Sequence, residues 1–382
     1  MNASTILNLP PEVLATIPSG VAPAGITALS DHPARRGYIL ITVNAILAVI
    51  MTICFTIRMY TSLVIRRRIT WSDFFLLVGF LFVVMLYVAA IIVVSPGGTV
   101  GMHSWDVSLL SLFSKRNTAA LYILAILIMP AFGFVKLSIF LMYLEIFEAL
   151  RWMKICVYIG ATFCSAFYLA GTILLFYLST PFGSETFRTT FFSPRQLMFF
   201  RVGIPMAAIS LGIDVYLFTL PLCAVSNLHI PTKKKILVMV GFAVGLIACV
   251  GSLLSLIYRV IMVRSDDKAW KGVSVVIAIL VELFSGVIIC CFPSLLLFFR
   301  RHHEHFANTG AAISSWLRYS RYRKSDTSIK EPQYSSYPSE RTPAGEVNLY
   351  PNLDFLTTPG DIERTALEKR MENRIGIDAI AV

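Results

Sequence analysis

An all-α membrane protein, a bundle of seven transmembrane helices, is the fold class this sequence predicts, and three observations carry the prediction. Of its 382 residues 56% are hydrophobic and only 14% are charged, and the mean hydropathy is +0.72. Soluble domains are about 25% charged, so this much apolar surface needs a bilayer as its solvent. Seven segments stay apolar over the roughly 20 residues that a helical crossing requires. They are Tyr38–Tyr60, Asp73–Ser95, Ala119–Phe147, Ile155–Leu178, Ile204–Leu228, Ile236–Val263 and Val273–Phe299, spans 1 to 7. None shows strand-like alternation, and continuous segments of this kind satisfy their backbone groups in lipid only as helices.

Residues 1–36 form a polar N-terminal tail with Pro10, Pro11, Pro18 and Pro23. A basic stretch followed by a short apolar core is missing there, so no cleavable signal is expected and span 1 serves as the insertion signal. The tripeptide at Asn2–Ser4 makes Asn2 a glycosylation candidate. Span 1 ends near Arg58, and span 2 begins at Asp73 across a short basic loop. Those two charges are placed to pair as helix-end groups. Span 3 contains Pro130 and Lys136, and span 5 Pro205, Asp214 and Pro221. Pro205 reads as helix-end geometry. Pro221 follows Asp214 by seven residues, on roughly the same helix face. Span 6 has Arg259 near its outer end, where a long side chain snorkels to the interface, with Asp266 and Asp267 beyond it as partners. Span 7 carries Glu282 and Pro293. Prolines inside spans make kinks, so Pro221 and Pro293 are the hinge candidates.

Lysine and arginine divide equally, eight and eight, between the loops of the two faces. Their clustering does not. Arg66, Arg67 and Arg68 lie on one face with Lys233, Lys234 and Lys235, and residues 300–324 add six more. The positive-inside rule then puts the N-terminus outside and the C-terminus in the cytoplasm. The predicted organisation is an extracellular tail over 1–36, a membrane domain over 37–300, and a largely disordered cytoplasmic tail over 301–382. The last is rich in Ser, Thr, Pro and charge, with one short helix expected over 361–375. The expected location is a membrane, multi-pass, with the plasma membrane as default.

The formal charge of +11 does not point to nucleic acid, because the basic residues sit in short loops beside apolar spans, where they meet lipid. All seven cysteines fall within spans, which excludes an extracellular disulfide framework and leaves small apolar packing residues. No catalytic motif or cofactor fingerprint is present, so neither an enzyme nor a cofactor nor a metal is expected. Retinal would need a lysine in span 7, which has none.

Ionisable residues within lipid are costly, about 2.5–3.5 kcal/mol each at a helix centre, and face the bundle interior. Lys136, Asp214 and Glu282 lie at similar depth in spans 3, 5 and 7. One cation facing two acids is either a ligand or switch site whose pairing differs between states, or a structural pair that fixes helix register.

Several blocks together resemble one family. "RMYTSLVIRRRITWSDFFLL" (Arg58–Leu77) carries an Arg-x-Tyr segment, a basic loop and a Trp-x-Asp entry to span 2. "GTVGMHSWDV" (Gly98–Val107), "KLSIFLMYLEIF" and "DVYLFTLP" (Asp214–Pro221) follow. The helix 6 block ends at Arg259, and "WKGVSVVIAILVELFSGVIICCFPSL" (Trp270–Leu295) completes the set. In this order they resemble the fungal rhodopsin-domain integral membrane proteins, seven-helix relatives of the receptor-like surface sensors of fungi, over roughly 38–300. Glu145 stands where that family commonly has Arg. The resemblance implies a receptor-like protein that senses an extracellular or lipid-phase cue through an unknown ligand and signals through cytoplasmic loops and tail to a signalling protein. His103, Trp105 and Asp106 would shape its outer mouth. An ion or solute carrier and a non-catalytic membrane scaffold are the alternatives.

Overall fold

A computed structural model describes residues 10–30, 33–148, 150–183, 185–226 and 232–325, with backbone alone for 224–226, 232–244, 300 and 302–325. Asn2 and the helix expected over 361–375 therefore lie outside the described residues. The chain divides into two compact units, Met1–Ala312 and Ile313–Val382. All seven spans belong to the first.

Seven helices among the described residues are long and apolar enough to cross a membrane: Gly37–Arg66, Trp71–Val94, Lys115–Ile146, Arg151–Ser179, Pro194–Cys223, Gly245–Arg264 and Lys268–Phe299. Local chemistry sets several of their ends. Thr70 and Asp73 form a capping box at the start of span 2, satisfying amides the first turn leaves open. The Ser114 hydroxyl accepts from the Asn117 amide at the start of span 3. Span 5 differs most from expectation, because its helix starts at Pro194, ten residues before Ile204. Proline suits a first helical turn, where its missing N–H costs nothing. Pro205 is thus interior to that helix, as is Pro221, and the expectation that Pro205 marks a helix end is corrected. Pro293 is likewise interior to the helix Lys268–Ser325, whose backbone extends beyond the boundary at 300 read from composition.

Burial ranks the spans. Span 7 is 67% buried over its most apolar window and span 3 is 44% buried, against 22% for span 1. Spans 3 and 7 form the centre. Small residues let spans 2 and 7 close on span 3: a β-carbon at Gly286 would lie 2.8 Å from Val135 Cγ1, and one at Gly79 would lie 3.0 Å from Val135 Cγ2. Such approaches supply the packing that lipid-solvated helices rely on. The large apolar side chains left exposed, Ile46, Ile53, Phe163 and Ile173 among them, are what a bilayer would solvate.

One end of the bundle is closed by the N-terminal segment and the loops after spans 2, 4 and 6. The segment is docked, not a free tail. A short helix, Pro11–Thr16, buries Leu14, and Pro18 makes an isolated β-bridge to Ser108. The Ser19 amide donates to the Val107 carbonyl at 2.8 Å, Arg36 N–H to the Gly101 carbonyl at 2.8 Å, and Gly101 N–H to the Ala269 carbonyl at 3.1 Å. Gly101 adopts φ +91° with a β-carbon position only 3.0 Å from Gly37 N, so glycine is required at this junction.

Candidate functional site

Lys136 is 3% exposed and meets both predicted acids. Its Nζ lies 2.7 Å from Asp214 Oδ1 and 3.3 Å from Glu282 Oε1. It also donates to the Ser210 hydroxyl at 2.8 Å and to the Ser210 carbonyl at 3.1 Å. The Ser210 hydroxyl in turn donates to Glu282 Oε1 at 3.2 Å and lies 2.9 Å from the Tyr168 hydroxyl. The Ser252 hydroxyl donates to the second oxygen of Asp214. The rings of Phe132 and Tyr168 flank the ammonium at 5.3 and 5.7 Å, within cation–π range. Five spans, 3 to 7, thus converge on one ammonium group. The pairing is unequal, because Asp214 holds the lysine closely and Glu282 shares it with Ser210.

The residues missed in the sequence are Tyr168, Ser210 and Ser252. Ser210 precedes Asp214 by four positions, so it occupies the same helix face. That spacing was a usable signal.

Arg58 and Asp73 do pair, with Nη2 2.7 Å from Oδ1, and are 1% and 2% exposed. Their network extends well beyond the short loop. Arg58 donates to the Cys290 carbonyl of span 7 and to the Ser72 hydroxyl at 2.9 Å. Asp73 accepts from the Ser62 hydroxyl and from the amide and hydroxyl of Thr70, at 3.2 and 3.1 Å. Ser138 of span 3 closes the network, donating to the Ser72 carbonyl at 2.9 Å.

One expectation is corrected. Arg259 neither snorkels outward nor pairs with Asp266 or Asp267. Its side chain turns into the bundle beside Gly203, where a β-carbon would lie 3.0 Å from Nη1, and its Nε is sealed off without a hydrogen-bond partner. Asp267 is instead saturated by the loop after span 2. It lies 2.5 Å from His103 Nδ1 and accepts from the amide and hydroxyl of Ser104, each at 2.9 Å. Burial alone would push the Asp267 carboxyl up, but the bonds from His103, Ser104 and the Trp270 amide hold it below the usual carboxylate range.

The outer-loop residues form a stacked cluster. The His103 ring is stacked between Trp105 and Trp270 at 4.3 and 3.9 Å, and Arg36 lies 4.5 Å over Trp270. Asp106 accepts from the amide and hydroxyl of Ser30 at 3.1 and 3.0 Å. These three residues build a cap that anchors the N-terminal segment. The cavity beside them is lined from the same loop by Ser104 and Val107.

That cavity measures about 660 Å³, within the usual range for a small-molecule pocket, about 300–1,000 Å³. It lies among spans 3 to 7 and the capping loops. Its walls are largely apolar, and its floor includes Met129, Met206 and Arg259. The same three residues roof a second space of about 10 Å³, whose lining includes Tyr168, Ser210, Ser252 and Glu282. The cavity therefore ends where the lysine cluster begins.

A family model described as the fungal rhodopsin domain matches residues 57–301. A SAT4 family membrane protein of Emericella nidulans is 27% identical over 212 residues, which cover 54% of this chain and 52% of that protein. Fugralins biosynthesis cluster protein 2 of Gibberella zeae is 24% identical over 290 residues, 72% of this chain and 69% of that protein. The chain thus spans about half the length of the Emericella relative. No solved structure matches it.

Proposed function

The chain belongs to the fungal rhodopsin domain family, and from that premise we propose that it is a receptor-like membrane protein in which a small molecule, seated in the cavity, biases the pairing of Lys136. The observation that carries this reading is the shared boundary: Met129, Met206 and Arg259 line both the cavity and the space above the lysine cluster. A ligand there presses on the residues that roof Lys136, Asp214 and Glu282. Only differential interaction with two states shifts an equilibrium, and two acids sharing one lysine supply two pairings. No catalytic step is assigned to the protein. The N-terminal face is taken as extracellular and the plasma membrane as the location, on the clustering of Arg66–Arg68 and Lys233–Lys235. The opposite face and the tail would then meet a cytoplasmic signalling protein. The biosynthesis-cluster name of the Gibberella zeae relative favours a small organic ligand.

Two measurements test it. Purified protein in proteoliposomes is assayed for ion and solute flux, and transcript profiles are compared between cells expressing the wild type and Lys136→Met. The receptor reading expects no flux and a changed transcript profile. Flux that Lys136→Met abolishes would establish the carrier alternative in its place.

A further inference from the structure

The cavity floor carries a cation with no direct partner. Lys136 is in contact with both acids. Arg259 contacts neither, and among the described residues it makes no hydrogen bond or ion pair, with Nε sealed off at the floor. A buried guanidinium nitrogen without a partner is costly, and the fixed fork of N–H donors to which it belongs fits a carboxylate or phosphate oxygen pair. Formal charge at this level sums to zero over Lys136, Arg259, Asp214 and Glu282, so the total does not discriminate between ligands. The geometry does. Asp214 and Glu282 already accept from Lys136, Ser210 and Ser252, whereas Arg259 has donors to give. A cationic ligand descending the cavity would meet Arg259 before it met either acid. Higher up, Lys268 and Asp266 both line the mouth and offset each other. The walls between mouth and floor carry aromatic rings, among them Phe113, Tyr122, Phe187, Phe191 and Phe200.

We infer that the cavity binds an organic anion with an apolar, ring-compatible body, its carboxylate or phosphate group held by the Arg259 guanidinium at the floor. The inference rests on the cavity being the ligand site and names the chemical class that site takes. Binding would neutralise Arg259 directly above Glu282 and so change the field in which Glu282 competes with Asp214 for Lys136.

The test is a matched pair of fluorescent probes, 1-pyrenebutyrate and the neutral 1-pyrenebutanol, titrated into full-length protein in nanodiscs at pH 8. The readout is saturable tryptophan-to-pyrene energy transfer, corrected with empty nanodiscs. The wild type is expected to bind the anion at least tenfold more tightly than the alcohol. Arg259→Gln is expected to bring that ratio close to one, and Arg259→Lys to keep most of it. Ala125→Trp, which fills the cavity from span 3 without touching the charges, is expected to weaken both probes. Equal affinity for the two probes in the wild type, a ratio unchanged in Arg259→Gln, or no saturable binding of either probe would overturn the inference. The wild-type ratio decides even if Arg259→Gln does not fold. The assay reads binding alone, so a failure of the signalling reading leaves it standing. Tight binding of the alcohol alone would sink the anion and keep a ligand site.

Discussion

Two buried ion-pair networks sit in the same bundle and are built on opposite plans. Around Arg58 one cation faces one acid. Ser72 and the Cys290 carbonyl take the remaining guanidinium donors, and Ser62 and Thr70 serve the remaining lone pairs of Asp73. Around Lys136 one cation faces two acids at unequal distances, 2.7 and 3.3 Å, with an unpartnered arginine and a 660 Å³ cavity directly beside it. Buried charge alone therefore says little about role. A saturated network has a single pairing and joins spans 1, 2, 3 and 7; one in which two acids share a lysine has two pairings and can be biased.

The largest effect should come from breaking the saturated network. Arg58→Met leaves Asp73 buried without its counter-charge, a class of change that costs roughly 3–5 kcal/mol. Thermal unfolding in detergent should show that loss, while any folded Arg58→Met protein keeps the wild-type ratio of anionic to neutral probe affinity. A changed ratio with intact stability would reverse the roles assigned to the two networks.

Next in size is an asymmetry within the lysine cluster. Asp214→Asn removes the close counter-ion and should cost about 3 kcal/mol. Glu282→Gln removes the more distant acid and leaves Lys136 its close contact with Asp214, so it should cost less, about 1 kcal/mol, the scale of a single hydrogen bond. Equal losses measured by thermal unfolding, or the reverse order, would show that the two acids do not compete in the way the distances indicate.

The two networks also differ in how far the sequence reveals them. Lys136, Asp214 and Glu282 are conspicuous because ionisable groups in apolar helices are rare and costly, and counting from the span ends puts them at one depth. Arg58 and Asp73 are equally conspicuous, but the reach of Arg58 to a span 7 carbonyl is a contact across 232 positions, with no local sign. Ser210, Ser252 and Tyr168 are hidden for another reason. Hydroxyls abound in these helices and many only bond their own backbone, as Ser165 does to Ala161 and Thr172 to Tyr168. The cavity is hidden because its aromatic walls have the composition of lipid-facing surface. The acids nearest Arg259 in sequence are Asp266 and Asp267, yet Asp267 finds better-placed donors in His103 and Ser104, more than 160 positions away.

The smallest effect belongs to the cap, where the interaction is partly open to water and therefore screened. Asp267 holds the loop after span 2 to the start of span 7, and its carboxyl lies below the usual range in the folded state because the bonds from His103, Ser104 and Trp270 outweigh burial. A carboxyl depressed by folding contributes stability that is complete above its unfolded value, roughly 3.9, and is lost as pH falls through the folded value. Between neutral pH and about pH 5 the contribution should be constant; below about pH 4 it should decline. Thermal unfolding from pH 7 down to pH 3 should therefore show an acid-side loss that is shallower in Asp267→Asn than in the wild type, with the two curves drawing together at the lowest pH. Curves that stay parallel throughout would mean that the cap is held by the stacking of His103 between Trp105 and Trp270, with no contribution from the charge of Asp267. Either result separates the cap from the lysine cluster, whose acids have their counter-ion in Lys136 and not in the loop.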